Sequence, residues 1–276
     1  MKMTSRALQK TTFAALVLAA SRGEATMREF GTFHKCTLKV AGTPMLIRVL
    51  DALSAAHHIR TITISIDDPD ILPQIKGYGT LQKKARISIL KSLQSASASA
   101  GDALEKCRPP LLVTTADNAL LTAKITDEFL QRAAKTQADL AVGLVSRQTI
   151  ETRFPESRRT YWRFRGGAYT GCNLFALMTP NSRRVVDIWQ NAETNRKKPW
   201  KIVSMFGVMN LLGFLLKIWS VDEALAHVSR HLGLTIAPVI LPHAQIAIDV
   251  DKQAHLELAN KILESSPNKN TAILPE

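Results

Sequence analysis

Two short stretches hold the residues best suited to chemistry. In the first, Ala20-Ser21-Arg22-Gly23 follows an apolar run and is trailed by Arg28 and Lys35. Small residues at such a turn let backbone N–H groups approach a ligand closely, and amides and cations together stabilise phosphate oxygens. A polyphosphate suits this stretch, with an ordinary surface loop as the plainer reading. In the second, Arg108-Pro109-Pro110 introduces LLVTTADNALLT, where Asp117 lies just beyond an apolar run. Ligands of open α/β sheets gather outside the carboxyl ends of the strands. A carboxylate there can hold a divalent cation, because magnesium commonly takes one or two protein carboxylates together with phosphates and water. The plainer role for Asp117 is to cap a turn or the next helix.

Further candidates are less specific. Arg147, Arg153, Arg158, Arg159, Arg163 and Arg165 form an arginine-rich stretch that leads through Gly166-Gly167 into YTGCNLFAL. Such a run is usually a solvated face, but a hairpin here could grip an acceptor phosphate. Ser95 to Gly101 reads either as a loop near a base or ribose or as a flexible connection. Asp249 and Asp251 precede a final amphipathic helix that has Leu256, Ala259 and Leu263 on one face. His57-His58 reads as a polar helix terminus, since adjacent helical side chains diverge and cannot share a metal.

The elements that must position these groups alternate between strand and helix. Phe13 to Ala19 is apolar and uncharged, as expected of a parallel strand covered on both faces. A helix follows from about Met45, with Thr43 as its cap and Pro44 in its first turn. Strands are expected at Thr61 to Ile66, Ala85 to Leu90, Leu111 to Thr114, Ala138 to Val145 and Leu234 to Leu241. Helices are expected from about Gly101, from about Lys124, over Asn181 to Glu193, and as a pair over Ile202 to Trp219 and Val221 to Leu232. The alternation predicts a three-layer α/β/α sandwich with a mainly parallel, Rossmann-like sheet. We expect one domain over 1–264 with a helical insertion at about 181–232, then a loose tail over 265–276.

Composition narrows the partners. With 276 residues, 46% hydrophobic and 21% charged, the chain has the make-up of a globular protein. Its net charge of +13 favours anions. Aromatic residues amount to only 6% and do not interleave with basic ones as in single-strand binders, so specific nucleic-acid binding is not expected. Three isolated cysteines, Cys36, Cys107 and Cys172, read as reduced thiols of the cytoplasm. The apolar FAALVLAAS after Lys2, Arg6 and Lys10 imitates a secretory signal, but the same run is needed as the first strand. The uncharged stretch Ile202 to Leu216 is shorter than the roughly 18 residues of a membrane span. It reads as core, with a lipid-like pocket or peripheral membrane contact beside Lys197, Lys198 and Lys201 as the alternative.

The order of LVLAASRG, HKCTLKVAGTPML, LLVTTAD and IDVDKQAHLELA resembles the MobA-like nucleotidyltransferase family. That family shares the nucleotide-diphospho-sugar transferase fold with sugar-phosphate nucleotidylyltransferases and with half of many glycosyltransferases. The resemblance covers Phe13 to Leu263. It implies that the turn of Ala19, Ala20, Ser21 and Gly23 wraps a triphosphate and that Lys35, with Arg22 or Arg28, neutralises charge. It further implies that Asp117 and Asp251 hold magnesium and that Ser97, Ser99 and Gly101 lie in a loop beside the base. The hairpin residues Arg165, Tyr169, Gly171 and Asn173 are the candidates for the acceptor. Ser21 stands where the family usually has glycine, Ala25 where it often has arginine, and the loop from Gly23 to Lys35 is longer than usual.

The expected reaction is transfer of a nucleoside monophosphate from an NTP to a phosphorylated small-molecule or lipid-like acceptor. A glycosyltransferase on a similar fold is an alternative, although Asp117 is followed by Asn118 and Ala119 rather than by an Asp-x-Asp. A non-catalytic nucleotide or phosphate sensor that keeps the fold is another.

Overall fold

The computed structural model describes residues 11–21, 23–194, 213 and 215–265. It opens with β1 (Phe13–Leu18), the short helix α1 (Glu24–Phe30), and a two-residue ladder of β2 (Lys39–Val40) with β3 (Thr43–Pro44). Then come α2 (Met45–Ser54), β4 (Ile59–Ile66), α3 (Tyr78–Lys84), β5 (Ile87–Lys91), α4 (Ala96–Lys106) and β6 (Leu111–Thr115). The second half runs through α5 (Ala123–Thr136), β7 (Leu140–Ser146), α6 (Arg147–Arg153), β8 (Trp162–Phe164) and β9 (Gly167–Leu177). It continues with α7 (Arg183–Thr194), α8 (Val221–Leu232), β10 (Ile236–Ile240) and α9 (Gln253–Glu264).

Among the described residues the main sheet has eight strands in the order β10-β7-β9-β6-β1-β4-β5, with β8 hanging on β9. Pairing is parallel except along β9, which runs antiparallel to β6, β7 and β8. Strand β1 is central because its two faces are both apolar. Ala15 and Val17 join the core under α2 and α5, where Leu46, Leu50, Leu53 and Phe129 are fully buried. Leu16 points the other way, toward Ala100, Ala103 and Leu104 of α4 and Val186 of α7. Each buried leucine, valine or phenylalanine side chain among these contributes about 1.5–3 kcal/mol by leaving water. The expected three-layer sandwich and mainly parallel sheet are therefore present. The run that imitates a secretory signal is this central strand.

Two local expectations need correction. The segment after Ser95 is not a loop up to Gly101, because Ser95 caps α4 by accepting from the Ala98 N–H at 3.1 Å. The Ser99 hydroxyl then donates back to the Ser95 carbonyl, so a polar-looking run closes its own hydrogen bonds as helix. Pro44 is the N-cap of α2 rather than part of its first turn, since Thr43 and Pro44 are held in the β2–β3 ladder. The backbone N–H groups of His57 and His58 both donate to Asp127 on α5. Most of the apolar helix expected over Ile202 to Trp219, and the cations Lys197, Lys198 and Lys201, lie outside the described residues. Among the described residues no helix is long and apolar enough to cross a membrane.

Asp139 ties three chain segments together. Its carboxylate accepts from Thr179, from Asn181 at 3.1 Å, and from the Thr235 N–H and hydroxyl at 2.8 and 2.9 Å. Burial pushes its pKa up, but the bonds from Thr179, Thr235 and Asn181 outweigh burial and hold it below the ordinary carboxylate value. We expect Asp139→Ala to lower stability by about 2–3 kcal/mol in urea denaturation at pH 7, because several donors lose their acceptor. A depressed pKa stabilises the fold above the unfolded value of about 3.9 and loses that contribution as pH falls through the folded value. The gap between variant and parent should accordingly shrink below about pH 4.

Candidate active site

The site forms where the sheet reverses its order. From β1 the chain moves out one way to β4 and β5, then returns to the other side of β1 with β6. The carboxyl ends of β1 and β6 thus lie side by side, with Leu18 in register with Thr115. Such a switch point opens a crevice for ligands. Ala19 to Ser21 leave one lip of it, and Ala116 and Asp117 leave the other. The Ala116 N–H donates to the Leu18 carbonyl at 2.9 Å and keeps the two lips together just past the ladder.

Two distant segments are drawn onto this edge. The Lys35 N–H donates to the Ser21 hydroxyl at 2.9 Å, which fixes the lysine over the end of β1. The Val250 N–H donates to the Asp117 carbonyl at 3.3 Å, which brings Asp251 alongside. Below that contact α9 packs Ala259 into a cluster with Ala119, Leu120, Ile248 and Val250, so the backbone beyond both carboxylates is anchored by burial.

The result is a three-membered charge centre. The Lys35 Nζ lies 2.6 Å from Asp117 Oδ2 and 2.6 Å from Asp251 Oδ1. Lys35 and Asp117 are mostly shielded, with side chains 18% and 17% exposed, whereas Asp251 is 46% exposed. Burial lowers the lysine pKa, but the charge and hydrogen bonds of Asp117 and Asp251 together raise it above its usual value. The ammonium is therefore fully charged at neutral pH. The Thr115 hydroxyl also donates to the second oxygen of Asp117 and fixes the plane of that carboxylate.

A second layer supports Asp251. Arg159 bridges from the arginine-rich stretch to Asp249, with both side chains largely shielded. Burial raises the Asp249 pKa and the nearby charge of Asp251 adds to this, outweighing the opposing effect of Arg159. Asn118 is buried and donates its side-chain amide to the Cys172 carbonyl at 3.0 Å. It is thus turned into the core, away from the charge centre.

A cavity of about 1040 Å³ opens beside this centre, lined in part by Ala19, Ala20, Ser21, Ser99, Lys35, Asp117, Asn173 and Asp251. Asn173 reaches it through an irregularity in β9. Val142 pairs with Phe175 but Leu144 pairs with Gly171, so β9 carries extra residues there, and Asn173 has φ 54°. A bulge of this kind re-aims a side chain, and asparagine tolerates the left-handed conformation better than most residues.

Other sequence candidates lie away from the cavity. Arg22 is outside the described residues. Arg28 lies on the outer face of α1, exposed and 3.9 Å from Glu24, while Ala25, Thr26, Glu29 and Phe30 face the cavity. Gly23 does not line the cavity; its φ of 52° starts α1 in a conformation open to glycine. Ser97 and Gly101 are turned to α7 rather than to a ligand. The Ser97 hydroxyl donates to Glu193, and a Cβ on Gly101 would meet Gln190 Nε2 at 2.9 Å, so the glycine serves close helix packing. Arg165 holds Glu223 by two contacts of 2.7 Å, and Tyr169 and Gly171 lie in the β8–β9 and β7–β9 ladders, none of the three lining the cavity.

A family profile described as the MobA-like NTP transferase domain matches residues 15–190. The chain belongs to this family. A solved structure from Thermus thermophilus, described as a hypothetical transferase, is similar to this MobA-like chain with a TM-score of 0.74 and 28% identity. The similarity covers 89% of this chain and 100% of that one. 4-Diphosphocytidyl-2C-methyl-D-erythritol synthase from Anaerococcus prevotii matches with a TM-score of 0.58 and 13% identity, over 95% of this chain and 100% of that one. CMP:2-keto-3-deoxy-manno-octonic acid synthetase, solved with CTP, gives a TM-score of 0.56 and 12% identity over 92% and 98%. At such identities the latter two establish the shared fold. Among curated proteins none matches the chain.

Truncating the central cation tests the charge centre directly. We expect Lys35→Ala to destabilise the MobA-like domain by about 1–2 kcal/mol, since two close carboxylates lose their counter-charge in a site that is only partly shielded. Millimolar Mg²⁺ should restore much of that loss in the variant and do little for the parent, as read from urea midpoints with and without the ion.

Proposed function

We propose that this chain is a magnesium-dependent nucleotidyltransferase that moves a nucleoside monophosphate from an NTP to a phosphorylated acceptor and releases pyrophosphate. The observation that carries the reading is the pair of carboxylates, Asp117 and Asp251, converging on one cation at the switch point of the sheet. Family membership supports nucleotidyl transfer as the class of chemistry.

The donor set suits magnesium. Among the described residues no group of three or more His, Cys, Asp and Glu side chains gathers as a closed metal cage. Two carboxylates on one point, already holding the ammonium of Lys35 as a stand-in cation, match an ion that completes its shell with phosphate oxygens and water. When bound by Asp117 and Asp251, magnesium supplies positive charge to phosphate oxygens.

The residues of the chain do the remaining work. An oxygen of the acceptor phosphate forms a bond to the α-phosphorus, and the bond from that phosphorus to the bridging oxygen of the β-phosphate breaks. Pyrophosphate leaves with the electron pair. No general base is needed, because a phosphate monoester is already anionic. Lys35 offers a mobile positive charge to the phosphates once the carboxylates have another partner. Positioning and electrostatic stabilisation carry most of the rate in such transfers. Ser21 replaces a usual glycine without loss of the turn, because its hydroxyl accepts the Lys35 N–H.

The test is incubation with each NTP, Mg²⁺ and a panel of sugar, alditol and long-chain phosphates while pyrophosphate is measured. Release should depend on one acceptor class and fall by about a hundredfold or more in Asp117→Asn, judged by the size of single-group electrostatic effects. Nucleotide binding with no pyrophosphate from any acceptor would overturn the reading.

A further inference from the structure

The cavity beside Lys35 has two unlike ends. One end is the charge centre just described. The other runs down the sheet beneath α4 and α7, and its wall is built from Val113, Leu140, Phe175, Leu177, Val186 and Trp189. Strand β9 sets the direction. Its side chains alternate, so Cys172, Leu174 and Ala176 are buried in the core under α2 and α5 while Asn173, Phe175 and Leu177 line the cavity. From Asn173 to Leu177 the wall descends roughly 13 Å at about 3.3 Å per residue. Leu177 is in register with Leu111 and Leu140, the first residues of β6 and β7, so the cavity reaches the sheet edge opposite the charge centre.

At 1040 Å³ the space is at the upper end of the roughly 300–1,000 Å³ of ordinary ligand sites. Polar groups that could meet a base or ribose, among them Ser65, Ser92 and Ser95, line its other side. The descending wall offers almost none. Glu193 is the charged residue that α7 adds to the lining, and that carboxylate already accepts from the Ser97 hydroxyl. A polyol in this chamber would leave hydroxyls without partners, at roughly 1–3 kcal/mol each. An apolar chain would not.

We propose that the chamber takes the apolar chain of an amphiphilic phosphate, whose headgroup lies at Lys35 and whose tail follows Asn173 and Phe175 past Trp189 toward Val186 and Leu177. As the identity of the acceptor, this rests on the nucleotidyltransferase reading above. As a binding site, it stands on the cavity alone.

The experiment has two independent readouts. Monomeric straight-chain alkyl monophosphates of increasing length are compared with sugar and polyol phosphates, first for pyrophosphate release with NTP and Mg²⁺. Terminally brominated chains are then tested without nucleotide for quenching of tryptophan fluorescence. We expect release efficiency to rise at least tenfold from the shortest to the longest chain, and quenching that is lost in Trp189→Phe. Val185→Trp, on the same helix face and lining the chamber, should remove the chain-length dependence. A thermal melt of each variant guards against misfolding. The same phosphate displayed on vesicles is a separate arm, because a chain of net charge +13 adsorbs to any anionic surface; binding to vesicles without quenching by monomers would overturn the proposal. Release from polar phosphates alone, with no chain-length effect and no quenching, would also overturn it while leaving nucleotidyl transfer intact. Quenching without release from any acceptor would uphold the chamber and sink the transfer reading.

Discussion

Everything at the functional edge of this protein depends on one lysine held between two carboxylates. Asp117 and Asp251 are 134 positions apart in the chain, and without a cation between them their mutual repulsion would oppose the packing that joins the end of β6 to the IDVD segment. The Lys35 ammonium removes that repulsion and raises its own proton affinity in doing so. The interaction also has a steric side. Lys35 is held by its backbone to Ser21, so the same residue that neutralises the carboxylates fixes the turn after β1. One residue, through its backbone and its side chain, thereby ties three segments together.

The surrounding fold explains why such a centre is stable although it concentrates charge. Parallel strands buried on both faces end together at the switch point, and their ladder hydrogen bonds hold the lips of the crevice rigid. The final helix α9 closes a small core of its own directly behind the two aspartates. Electrostatic precision at the edge is bought with apolar burial a few residues away.

Much of this was legible in the sequence. Apolar runs with a single charged residue at their end, such as LLVTTAD, specify both a buried strand and the position of its carboxylate. The alternation of strand and helix fixed the layers. What escaped was tertiary in origin. Ser95 to Gly101 reads as a loop because serine and glycine favour turns, yet capping by Ser95 and the approach of Gln190 to Gly101 make it a helix designed for close contact. Arg159 is one arginine among six in its stretch, and only the fold shows that it faces Asp249 while Arg165 faces Glu223. Asn173 gives no sequence signal of its bulge, since a positive φ depends on how β7 and β9 are paired.

Strand β9 divides labour between its two faces. The even-numbered residues from Cys172 to Ala176 are locked into the core, whereas Asn173 and Phe175 are only half-buried. Changes at Asn173 leave the core untouched, whereas Phe175 and Leu177 also pack in the cluster beneath α4 and α7, and the even positions belong to the core under α2 and α5. Ligand preference can therefore drift at Asn173 with little effect on stability. Relatives with very different substrates could be reached from this scaffold by altering a few side chains without rebuilding the sheet.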